Sequence, residues 1–120
     1  RAVLDVPRLE TWRARHEGGG LMEPFLSVLE GAEEGDIYSR LLLPPPLPAE
    51  DPFTGSANGC MGAYLWHEGL IESPRYTAEQ GHGMGRPGRA EIEVLGPREA
   101  ITGVRVGGAG VVLMSGELHL

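Results

Sequence analysis

A chain of 120 residues suits one domain with a modest core. Apolar content of 41% with 22% charged residues is ordinary for a soluble globular protein, and a net charge of −7 leaves no basic face to neutralise phosphates, which argues against nucleic acid. No stretch approaches the roughly 18 apolar residues of a membrane span and no signal peptide leads the chain, so neither a membrane nor export is expected and the cytoplasm is.

The single cysteine, Cys60, excludes an internal disulfide and fits a reducing compartment. All ten basic residues are arginine. The chain starts at Arg1 rather than Met, which reads as a fragment or a processed product. With 19 glycines and 10 prolines, many turns and short strands are expected rather than long helices.

Residues 1–6 (RAVLDV) read as a short strand. Pro7 then opens a helix, PRLETWRARHE, with Leu9, Trp12 and His16 on one face and Gly18 to Gly20 ending it. FLSVLE and DIYSRLLL flank the turn-rich GAEEG, a hairpin pattern in which Glu33 and Glu34 make a solvated turn. LPPPLPAEDP reads as an extended loop. A second helix is predicted over 56–70. The strands RYTAEQ, RAEIEV, GVRVG and VVLMSGELHL complete the chain. No repeat or linker divides it, so 1–120 reads as a single domain.

The second helix is the informative element. Its body, ANGCMGAYLW, carries no formal charge and is small or apolar almost all round, as in a helix buried on every side. Ala57, Gly59, Gly62 and Ala63 would let strands approach closely. The fold class expected is therefore α+β, a mostly antiparallel sheet or barrel rolled around a central helix, with Cys60 and Gly62 buried. Thr54 and Ser56 are good N-cap types, and Gly55 between them permits a tight turn. The N–H groups and positive dipole end of such a helix suit a carboxylate or phosphate. A well-capped helix with no ligand is the alternative.

Several other patterns have plain readings. Gly83-x-Gly85-x-x-Gly88 matches a dinucleotide fingerprint in letters only, because Pro87 interrupts it and strand residues follow where a helix is required. His16, His67 and His119 lack ligand spacing, so no metal is expected. Cys60 reads as a structural thiol, and His82 as an exposed loop histidine.

EDPFTGSANG (residues 50–59), followed by QGHGMGRPG from Gln80 and then VRVGG, resembles the phenazine-biosynthesis-like (PhzF-like) isomerase family, whose members share the diaminopimelate-epimerase-like fold. The resemblance covers about residues 25–118 and corresponds to the C-terminal half of such an enzyme. It implies two pseudo-symmetric halves with the active site in the cleft between them. It further implies that Asp51 is a polar or acid/base group, the catalytic candidate of this half. Thr54, Gly55, Ser56 and Ala57 would hold the substrate carboxylate, with Gln80 and Gly81 at the same site.

The family's principal proton-transferring glutamate lies in the other half and is not among these residues. Related epimerases use a cysteine just before the Thr-Gly. Asp51, Pro52 and Phe53 stand there instead, which argues against cysteine-type two-base racemisation. The function so implied is a cofactor-independent isomerase of the proton-shift or epimerase type. Its substrate would be a small carboxylated metabolite, and its partner either the missing N-terminal half or a second copy in a homodimer. The alternative is a non-catalytic domain that binds a small anion or dimerises.

Overall fold

The structure, a computed structural model, describes residues 3–15 and 23–118. Helix α1 spans Val6–Arg15. Asp5 opens it: its carbonyl accepts from Leu9 N–H at 3.0 Å, and its carboxylate accepts from Arg8 N–H at 3.1 Å. The strand expected over 1–6 is therefore absent among the described residues, because an N-cap aspartate followed by a proline two positions on sets helical geometry. Leu9 is buried while Trp12 is largely exposed. His16, Gly18 to Gly20 and His119 lie outside the described residues.

Six strands follow: β1 (Phe25–Val28), β2 (Ile37–Leu42), β3 (Glu50–Asp51), β4 (Arg75–Gln80), β5 (Gly88–Leu95) and β6 (Gly103–Gly107), with helix α2 (Gly55–His67) between β3 and β4. The sheet runs β1-β2-β4-β5-β6. Every pairing is antiparallel except β2 with β4. The expected hairpin on GAEEG is present as β1–β2, and the mostly antiparallel α+β class holds. The proline-rich loop is not wholly irregular, since its last two residues join β2 as β3.

Because β1 occupies one edge of β2, β3 and β4 line up along the other. Ser39 faces Gln80 and Leu41 faces Asp51. Two residues apart on one strand is one pleat repeat, so Gln80 and Asp51 arrive side by side.

Helix α2 lies across one face of the sheet. Ile37, Leu65, Tyr76, Ala78, Ala90 and Ile92 form the core, with Phe53, Met61, Ile71 and Val104 packed against it. The small residues act as expected. A Cβ at Gly62 would sit 2.8 Å from Ile92 Cγ2, and one at Gly59 3.3 Å from Val106 Cγ2. The helix ends earlier than residue 70. Leu70 N–H reaches back to Leu65 C=O at 2.9 Å, and Gly69 takes φ 70°, a left-handed C-terminal stop.

Of the two forms expected, the sheet is the open one, not closed into a barrel. Three other expectations are corrected. Helix α2 is buried on one face only: Asn58, Gly59, Gly62 and Leu65 point in, while Ser56, Cys60, Tyr64 and His67 are exposed. Cys60 is thus not buried: two positions before Gly62, it lies about 200° round the helix from that contact with the sheet and is exposed. Residues 111–118 form no strand. Their apolar run follows a glycine-rich stretch after β6 and finds no partner edge among the described residues, leaving Val111 to Met114 exposed. No helix among the described residues is long and apolar enough to cross a membrane.

Candidate active site

Strand β3, the turn over 52–54 and the start of α2 place Asp51, Thr54, Gly55, Ser56 and Ala57 together. Thr54 occupies the N-cap position, yet its side chain makes no cap bond. Its hydroxyl instead donates to Asp51 Oδ2 at 2.5 Å. Asn58 N–H is the first to find an intrahelical acceptor, Thr54 C=O at 3.0 Å. The amides of Gly55, Ser56 and Ala57 therefore have no acceptor within the helix. A carboxylate oxygen and three helix-start donors stand within one turn of chain. The first suits proton transfer, the second an anion.

Gln80 and Gly81 support this turn from beneath. Gln80 is fully buried. Its Oε1 accepts from Thr54 N–H (3.1 Å) and Asn58 Nδ2 (2.9 Å), and its Nε2 donates to Asp51 C=O (2.9 Å) and Thr54 Oγ1 (3.1 Å). Gly81, at φ 89°, starts a single 3-10 turn over His82–Met84. A Cβ there would lie 2.1 Å from Arg86 C=O and 2.6 Å from Pro52 C=O, so only glycine lets the loop pass under Pro52.

Glu50 explains the first letter of the motif. Arg40 on β2 grips it with two bonds, Nε to Oε2 at 3.0 Å and Nη2 to Oε1 at 2.5 Å. That fork fixes the start of β3 and so the position of Asp51.

Glu79 was not singled out from the sequence. It is 1% exposed and points to the face opposite Gln80. Its carboxylate accepts from the backbone N–H groups of Ala32 (2.7 Å), Glu33 (2.9 Å) and Gly35 (2.9 Å) and from Arg89 Nη2 (2.8 Å). Burial alone would raise its pKa. The amides of Glu33, Gly35 and Ala32 together with the Arg89 guanidinium outweigh that and bring it down to about 2.

His82 is less exposed than expected, its ring edge-on to Tyr38 with 5.5 Å between centroids. Ligand atoms of Glu33, Glu79 and His82 lie within 4.8 Å of one another. Glu79 already serves four donors, one of them cationic, so a metal ion would have to displace Arg89 and the turn amides. The residues do not fit a metal.

The fold is an open α+β sheet with a carboxylate, Asp51, beside the bare start of α2. The family model for phenazine biosynthesis-like proteins matches residues 7–116, and the chain belongs to that family. It is 38% identical over 95 residues to an uncharacterized isomerase of Clostridium acetobutylicum, covering 74% of this chain and 32% of that protein. It is 35% identical over 98 residues to the uncharacterized isomerase YddE of Escherichia coli, covering 78% and 32%. An uncharacterized isomerase of Pseudomonas aeruginosa is 37% identical over 95 residues, covering 79% and 33%. The chain thus spans about a third of the length of these relatives.

Proposed function

We propose that residues 1–120 are the C-terminal half-site of an isomerase that moves a proton on a small carboxylated metabolite. The names of the relatives support the reaction class, and the matched share of their length, about a third, supports a site completed by further residues. The observation that carries the reading is the juxtaposition of Asp51, whose Oδ2 is held by the Thr54 hydroxyl, with the unpartnered amides of Gly55, Ser56 and Ala57.

In this reading the three amides and the positive helix end bind the substrate carboxylate and stabilise charge that develops on it as a neighbouring C–H is deprotonated. Asp51 Oδ1 accepts or returns the proton. Acid/base and anion-binding groups suffice for this chemistry, so no cofactor is invoked. A second acid/base group comes from a second wall, either the rest of a family-length protein or another copy of this chain. The exposed, uncharged face of α2 at Ser56, Cys60 and Tyr64 supports such a covering partner.

The test is incubation of the full-length protein in D2O with a panel of small carboxylic acids bearing an acidic C–H, read by mass spectrometry. Solvent deuterium carried into one member supports the isomerase. Binding of carboxylates with no exchange in any member supports the non-catalytic anion-binding domain instead.

A further inference from the structure

We propose that Gln80 is a positioning residue: it fixes the direction of the hydrogen-bond chain that ends on Asp51, and so keeps the Thr54 hydroxyl turned away from the helix start. The proposal rests on the reading of Asp51 and the helix amides given above.

A side-chain amide offers two N–H protons and two carbonyl lone pairs. In Gln80 all four are used, within a fully buried environment. Two of the partners permit only one orientation of the amide. The backbone N–H of Thr54 can only donate, so the atom facing it is Oε1. The backbone C=O of Asp51 can only accept, so the atom facing it is Nε2. The amide cannot be flipped without setting donor against donor and acceptor against acceptor.

The consequence falls on Thr54. Its hydroxyl has one proton, and at 3.1 Å from Nε2 it must accept there. Its proton is then left for Asp51 Oδ2, 2.5 Å away. Two effects follow. The hydroxyl is withheld from the N-cap bond that a threonine in this position ordinarily makes, which leaves the helix-start amides open. The Asp51 carboxylate is also anchored through one oxygen, while Oδ1 has no hydrogen-bond partner among the described residues. One buried amide thus sets both halves of the site.

The experiment is an NMR comparison on the full-length protein, with the Asp51 carboxyl carbon observed by 13C labelling and malonate as the anion probe. Gln80→Glu keeps the size and the acceptor oxygen but replaces the Nε2 donor with a second acceptor, which draws the Thr54 proton away from Asp51. The Asp51 resonance is expected to shift in Gln80→Glu and in Thr54→Val, and to return to the wild-type position in Thr54→Ser. Because Gln80 acts largely through the hydroxyl, Gln80→Glu should move the resonance by less once Thr54 is Val, the remainder coming from its own bond to the Asp51 carbonyl.

An Asp51 resonance that does not respond to Gln80→Glu, or that responds equally in the Thr54→Val background, overturns the proposal. If Gln80→Glu does not fold, the Thr54→Val and Thr54→Ser pair decides: a resonance unmoved by Thr54→Val overturns it as well. Failure of the underlying reading looks different. In that case malonate leaves the amide signals of Gly55, Ser56 and Ala57 unchanged in the wild-type protein, whatever the Asp51 carbon does in the variants.

Discussion

Glu79 and Gly35 are fitted to each other across 44 residues of sequence. The Gly35 N–H donates to Glu79 Oε1 at 2.9 Å, and a Cβ at residue 35 would lie 2.5 Å from Glu79 Cγ. The Glu79 side chain cannot swing aside, since four donors hold it. Gly35→Ala should therefore destabilise the protein by about 1–3 kcal/mol, the range for overpacking a filled site. Urea denaturation of that variant checks it, and an unchanged midpoint would show the turn to be looser than described.

The same carboxylate gives the fold an acid-labile component. Its pKa lies near 2 in the folded state, below the ordinary 4.5. A depressed carboxyl contributes stability that is fully present above the unfolded value and is lost as pH falls through the folded one. Stability should fall between about pH 4.5 and 2 in the wild type. Glu79→Gln should be less stable at pH 7, with the gap to wild type narrowing across that window. Parallel melting curves from pH 7 to pH 2 measure this. A constant gap would contradict the assignment.

Gly62 marks where α2 touches the sheet. Gly62→Ala would press a Cβ to 2.8 Å from Ile92 Cγ2 and 3.2 Å from Tyr76 Oη. The helix gain from alanine, up to about 1 kcal/mol, is smaller than the roughly 1–3 kcal/mol that overpacking costs. A net loss of stability is expected on thermal melting. Stabilisation would mean that the helix can lift off the sheet at little cost.

Much of this was legible in the sequence because it is local. The small residues of α2 announce close packing on their own, and the alternation in RYTAEQ, RAEIEV and GVRVG marks three strands. The EDPFTGSA stretch gives the turn and its candidate residues within eight positions. What could not be read depends on distant partners. The bonds of Gln80 reach residues 22, 26 and 29 positions away, and Glu79 binds amides more than 40 away. Nothing in AEQG says which loop its one acid faces and which its one amide faces. The exposure of Cys60 was missed for a related reason. An uncharged helix implies a cover on every side, but the described sheet supplies a cover on only one.

That uncovered face leads to a prediction on assembly. If a second wall packs there, Cys60 should react readily with a thiol reagent in dilute protein and become protected as association proceeds. Labelling rates taken alongside sedimentation over a concentration series test this. A strict monomer with a freely reactive Cys60 at every concentration contradicts the covering partner.

The central claim is that Asp51 serves the reaction rather than the fold. Asp51→Ala in the full-length enzyme separates the two when the rate of solvent deuterium exchange into the substrate and the melting temperature are measured on the same sample. The expected result is loss of exchange with the melting temperature nearly unchanged. Exchange at the wild-type rate, with stability lower by about 1 kcal/mol as for a lost turn or cap bond, would contradict it.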